Sequence, residues 1–250
     1  MKRIAVVVVL GVVAALMPAS AAAATQVKVL QLNICHSGLA GCFTGDRVMA
    51  RAKEVIGEAK PQVLSVNEAC SGDVEPLRQA MGAAKTRFVA AQRSDGSPVK
   101  CENGQDYGNA ILVAEALAGT TGASGRYSAQ DSGNEKRVWA CLSGGKVTAC
   151  TTHLSAKDGT TALAQCEELM GHAADYAKQA PTVVSGDMNL KYRGSPNVQD
   201  CNRTGFYRKG DGDLQHVFAT TSLGFVSGTK FDMKGTTDHP GWLVTTSLSR

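Results

Sequence analysis

Seven residues in this sequence are of the types that hydrolyse phosphoesters, and each sits in a short run. Asn33 lies in LNI, Glu68 in NEA, His153 in TTHLSA, Asp187 and Asn189 in SGDMNL, and Asp238 and His239 in TDHPG. Mg²⁺ prefers oxygen ligands, keeps several waters, and is usually held by one or two carboxylates plus a substrate phosphate. Glu68 with Asn33 or Asp238 nearby would meet that demand, and Mn²⁺ or Ca²⁺ would accept the same donors. Asp187 can orient or deprotonate an attacking water if a neighbour such as Asn189 fixes its rotamer. His153 and His239 can donate to the phosphoryl oxygens or the leaving group. Taken singly, each residue also fits a turn or a solvated strand end. The combination is what points to chemistry.

These runs need elements that bring them together, and each falls at a predicted strand end. Alternation predicts strands over 27–34 and 61–69, and helical spacing predicts helices over 47–59 and 74–81. Further strands are expected over 87–91 and 109–114, with a hairpin pairing 137–142 with 146–153. A long helix over 160–178 precedes a strand at 182–184, then an irregular stretch, then strands in LQHVFAT, GFVSGT and GWLVTTS. Strands with scattered helices imply sheets packed together with helices outside. Gly186 is expected to let the backbone turn tightly. Asp187 and Asn189, as alternate residues, would then face one way.

The first residues address the chain before any fold argument. Lys2 and Arg3 precede an apolar stretch, and small residues run on to Ala24, so 1–24 reads as a secretory signal and 25–250 as one domain. That pattern implies a secreted protein with no stable membrane anchor after processing, and a monomer is expected. The eight cysteines suit disulfides in an exported chain, and sequential pairing is expected. Cys141 and Cys150 flank Gly144-Gly145 in the hairpin and are the best-supported pair. A formal charge of +4 says little about partners. Gly-x-Ser-x-Gly, the phosphate-cradling Gly-x-x-x-x-Gly-Lys loop and the His-Glu-x-x-His zinc helix are all absent.

In this order LNI, NEA, YGNAIL, TTHLSA, SGDMNL and TDHPG resemble the endonuclease/exonuclease/phosphatase superfamily, also called deoxyribonuclease I-like, from Asn33 to Val244. The resemblance implies a four-layer α/β/β/α sandwich: two packed mixed sheets with helices on both outer faces and a divalent-metal site at one edge. It makes Glu68 the main metal ligand, supported by Asn33 and Asp238. It gives Asp187 the nucleophilic water, Asn189 the phosphate and Asp187, and His153 with His239 the scissile phosphate. One position departs from the family pattern. Gln215 stands where an Asp commonly pairs with the last histidine, so a less basic His239 and weaker or alkaline-shifted activity are expected. Asp211 and Asp213 are the candidates to replace that Asp in space.

The stretch from Lys191 to Lys209 mixes basic residues with Tyr192, Phe206 and Tyr207, a composition suited to backbone phosphates and unstacked bases. Tyr192 and Arg193 are its candidate substrate contacts, and Asn109 is a candidate neighbour of the site. His36 reads as a surface histidine that could line the rim, while His172 and His216 read as structural. The leading expectation is a Mg²⁺-dependent phosphodiesterase acting on extracellular DNA or RNA. A phosphatase or sphingomyelinase-like phospholipase of the same fold is the alternative. A third reading is a binding protein that kept the fold and lost catalysis, with Gln215 as its support.

Overall fold

The computed structural model describes residues 1–2 and 25–248, so the expected leader lies, from residue 3 on, outside the described residues. In chain order the elements are β1 (Thr25–Asn33), α1 (Asp46–Ala59), β2 (Val63–Cys70), α2 (Val74–Met81), β3 (Ala84–Ala90), β4 (Tyr107–Ala114), β5 (Thr121–Arg126), β6 (Val138–Ser143) and β7 (Thr148–His153). Then follow α3 (Gly159–Ala177), β8 (Thr182–Asp187), β9 (Phe206–Gly210), β10 (Gln215–Thr220), β11 (Leu223–Phe231) and β12 (Gly241–Leu248). Two six-stranded sheets result, ordered β11-β12-β1-β2-β4-β3 and β5-β6-β7-β8-β10-β9. Both are mixed, since β1 pairs parallel with β2 and β7 parallel with β8, while their other neighbours run antiparallel.

Strand alternation sorts the core into three layers. Leu30, Leu32, Leu64 and Val66 face out from the first sheet and meet Val48, Ala52, Val55 and Ile56 of α1 and Leu77 of α2. Val184 and Phe218 face out from the second sheet and meet Ala162, Leu169, Met170 and Ala173 of α3. Between the sheets lie Val27, Val29, Val63, Ile111, Val113, Ala149, Val183, Val217 and Val244. This is the four-layer α/β/β/α sandwich expected from the resemblance. α1 closes at Lys60, in left-handed geometry, with its N–H on Ile56 O. α3 opens on Asp158, whose side chain accepts from the Thr161 N–H.

Two strands escape the sequence patterns, β5 and β9, and both are sheet edges. An edge strand half open to water needs no apolar alternation, so TGASGR and FYRKG carry none. The stretch from 191 to 209 is therefore only partly irregular. All eight cysteines pair in sequence order, Cys35–Cys42, Cys70–Cys101, Cys141–Cys150 and Cys166–Cys201. Cys141 and Cys150 sit opposite each other in the β6–β7 register, as the hairpin implied. Among the described residues no helix is long and apolar enough to cross a membrane.

Candidate active site

Strand register brings the polar ends to one level. Asn33 stands beside Asn67 where β1 meets β2, and His153, Asp187 and Gln215 stand abreast across β7, β8 and β10. Above them opens a cavity of about 450 Å³, lined by Glu68, His153, Asp187, Asn189, Asp238 and His239 among others. Six of the seven residues singled out by type and spacing thus share one cavity.

Glu68 reaches it by breaking alternation. Leu64 and Val66 point to the helices, so a regular strand would send residue 68 the same way. Instead the β2–β4 register shifts between Val66 and Ala69, and Glu68 adopts φ 56°. Left-handed backbone costs a non-glycine residue about 1–3 kcal/mol, and such strain concentrates where a side chain must be aimed. Glu68 Oε1 accepts from Asn33 Nδ2 at 2.8 Å and lies 3.9 Å from His153 Nδ1. Burial pushes its carboxyl pKa up; the Asn33 hydrogen bond opposes this, and the negative Asp187 reinforces it.

Asp187 is 1% exposed, lines the cavity and is held by four neighbours. Oδ2 accepts from Asn33 Nδ2 and Gln215 Nε2, both at 3.2 Å, and faces His239 Nε2 at 3.4 Å. Oδ1 accepts the Asn189 backbone N–H at 3.0 Å. Burial dominates its pKa, which is raised although His239, the Asn189 N–H and Asn33 all pull it down. His153, 5% exposed, is held well below the usual imidazole range by burial, then by Arg137 and His239, so it is a neutral ring.

Several expected roles change in detail. Asn33 turns its Nδ2 to the two carboxylates and its Oδ1 to the Cys35 N–H, which makes it a bridge that spaces Glu68 from Asp187. Asn189 fixes Asp187 through its backbone, while its side chain donates to Leu154 O. Its φ of 49° means that this turn, rather than strand alternation, brings it beside Asp187. The turn is not at Gly186. A Cβ there would lie 2.0 Å from Thr152 O, so this glycine lets β7 and β8 approach. Gln215 donates to Asp187 instead of accepting from His239, whose carboxylate neighbours are Asp187 and, at 3.7 Å, Asp238. The charge that Gln215 lacks is thus supplied by Asp187. Neither Asp211 nor Asp213 replaces it: Asp211 Oδ1 accepts the Asp213 N–H, and Asp213 pairs with Lys191.

Asn109 is buried, does not line the cavity, and accepts from Asn67 Nδ2 at 2.9 Å. Tyr192 and Arg193 do not line the cavity; Tyr192 is half exposed and carries the Arg208 guanidinium 4.5 Å above its ring. Nor is His36 a surface residue, since its Nδ1 meets Asp73 Oδ2 at 2.9 Å in a nearly buried pair. The sequence reading missed Asn67 and Arg137. Asn67 Oδ1 accepts both Gln31 Nε2 and the Asp187 N–H, tying the two sheets together under the site. Its inward position, two residues after Ser65, was the available signal. Arg137 lines the cavity and is 9% exposed, and nothing in its local sequence marks it.

No protein-family description and no curated protein matches the sequence. Solved structures do match. The human Nocturnin catalytic domain with bound sulfate superposes with a TM-score of 0.71 at 18% identity, over 90% of this chain and 94% of that one. An endonuclease/exonuclease/phosphatase from Bacteroides vulgatus gives 0.66 at 15%, over 90% and 100%. ANGEL2, a 2',3'-cyclic phosphatase in complex with adenosine-2',3'-vanadate, gives 0.63 at 12%, over 90% and 96%. The architecture is thus a two-sheet α/β sandwich with a polar cavity at one edge. Its fold is that of the endonuclease/exonuclease/phosphatase superfamily.

Proposed function

We propose that this chain is a secreted, divalent-metal-dependent phosphodiester hydrolase that cleaves nucleic acid. The observation that carries the reading is the meeting of Glu68, His153, Asp187, Asn189, Asp238 and His239 in one cavity, from four separate segments of chain. The donor set fits a hard cation. Glu68 is an aimed, largely buried carboxylate whose charge no ion pair to Lys or Arg balances among the described residues, and Asp238 adds a second carboxylate at the rim. Glu68 also lies close to the Cys35 and Cys42 sulfurs, and His36 and Asp73 close to that of Cys70, but all three sulfurs are tied up in disulfides and are no thiolate ligands. A bound Mg²⁺, Mn²⁺ or Ca²⁺ on Glu68, with Asp238 alongside, would neutralise charge growing on the phosphoryl oxygens.

In this reading the chain's own groups do the rest. Asp187, fixed on four sides, takes the proton of the attacking water, and its raised pKa suits a base. The Asn189 amide and neutral His153 hold non-bridging oxygens, and His239 donates beside them. Purified protein should hydrolyse bis(p-nitrophenyl) phosphate and nick plasmid DNA or degrade RNA with a divalent ion and not with chelator. Asp187→Asn and Glu68→Gln should each lower turnover by about 10²–10⁴. Choline-phosphate release from sphingomyelin with intact nucleic acid would select the phospholipase reading, and inactivity on every substrate would select a binding protein.

A further inference from the structure

We propose that the cavity beside the active site binds a second phosphate of the substrate, one linkage from the scissile one, which makes the substrate an oligonucleotide. This rests on the phosphodiesterase reading above. The second cavity, of about 350 Å³, shares Arg137, Glu135, Leu39 and Val99 with the catalytic one, so the two form one trough. Arg137 stands in the common wall. Its buried Nη1 pairs with Glu135 Oε1 at 2.8 Å, and no hydrogen-bond partner among the described residues takes up the Nε and Nη2 side of the guanidinium, which keeps donor capacity there. Such a guanidinium suits phosphate oxygens by charge and by its planar fork.

The far side of the second cavity adds Arg93 and Lys157, both exposed and neither in an ion pair with a described residue. The acid there is already engaged: Asp131 accepts from Ser155 Oγ and the Gly133 N–H. Lys136 holds the same loop by donating to Asp131 O and Gly133 O. Three cations therefore face a cavity that holds two carboxylates, Asp131 and the Arg137-paired Glu135, so the excess positive charge sits at Arg93 and Lys157. A neighbouring nucleotide phosphate would be attracted into this trough.

The test uses thymidylyl-thymidine, which has one phosphate, and the same dinucleotide phosphorylated at either end. Calorimetry in chelator should show one phosphorylated form bound about tenfold more tightly than the parent. With metal, its kcat/KM should exceed the parent's by a similar factor, chiefly through KM. Arg93→Gln/Lys157→Gln, at two exposed positions, should bring both ratios towards one with an unchanged melting temperature. Equal binding of all three compounds by the parent protein, or ratios that survive the double substitution, would overturn the subsite. A binding preference without hydrolysis under any metal would uphold the subsite and overturn the catalytic reading.

Discussion

The two ends of the layer between the sheets are built by the same strands and contrast sharply. At one end the inward positions are aliphatic: Val27 and Val29 on β1, Val63 on β2, Ala149 on β7, Val183 on β8, Val217 and Ala219 on β10. At the other end the same strands continue inward with Gln31 and Asn33, Ser65 and Asn67, Thr151, Ser185 and Asp187, and Gln215, nearly all of them fully buried. Burying so much polarity costs stability unless each group finds a partner. Most do: Ser65 Oγ and Thr151 Oγ1 meet at 2.7 Å, and Gln31 Nε2 reaches Asn67 Oδ1 at 2.7 Å. The apolar end holds the sheets together, and the polar end fixes how they meet beneath the cavity. Burial alone would favour aliphatic residues throughout, so the polar end is best explained by what it positions.

The boundary between the ends gives the largest expected effect. Gly186→Val would drive a Cβ into Thr152 O of the neighbouring strand, where backbone must move. A loss of about 4 kcal/mol or more is expected, read as a collapse in urea midpoint or soluble yield. A variant with native stability and lost turnover would restore the turn role first assigned to this glycine. Next comes Ile111→Ala at the apolar end, where a fully buried side chain leaves a cavity. It should cost about 3 kcal/mol in denaturant titration while turnover per folded molecule holds. Asn67→Ala reverses that pattern. It strands Gln31 Nε2, Asn109 Oδ1 and the Asp187 N–H, for about 2 kcal/mol of stability, and should lower kcat because Asp187 loses its anchor. Equal ratios of stability to kcat loss at the two ends would dissolve the distinction.

What was legible in the sequence follows from this contrast. Strand ends carrying Asn33, Glu68, His153, Asp187 and His239 could be placed because alternation fixes faces and turn residues fix ends. Glu68 was legible as a candidate but not in its geometry, since a one-residue bulge is invisible to a pattern of period two. Gly186 was misread because a glycine at a turn and a glycine under a close strand look alike in sequence. Arg137 and the second cavity were not legible at all. They depend on how the loop before β6 folds over Leu39 and Val99, which is long-range packing. Tyr192 and Arg193 erred the other way, because composition shows a basic stretch without showing which way it turns.

The smallest effect concerns that basic stretch. His216 points outward from β10, away from the polar layer, and is 1% exposed. Its Nε2–H donates to Leu190 O at 2.9 Å, and its Nδ1 accepts from Arg208 Nη1 at 3.0 Å, so a second ring proton would face a guanidinium. Burial first, with Arg208 assisting, holds its pKa down from 6.5 to about 4. Between these values the unfolded chain binds more protons than the folded one, so stability falls as pH drops from 6.5 towards 4. The loss between pH 7 and pH 5.5 is about 1 kcal/mol. Urea midpoints at those two pH values should therefore separate parent from His216→Gln by that amount, the parent being the more acid-sensitive. Titrations common to both proteins cancel in this difference. An identical pH slope in the two would mean that Arg208 yields to the protonated ring, and that the Arg208–Tyr192 stack is looser than the hydrogen bonds imply.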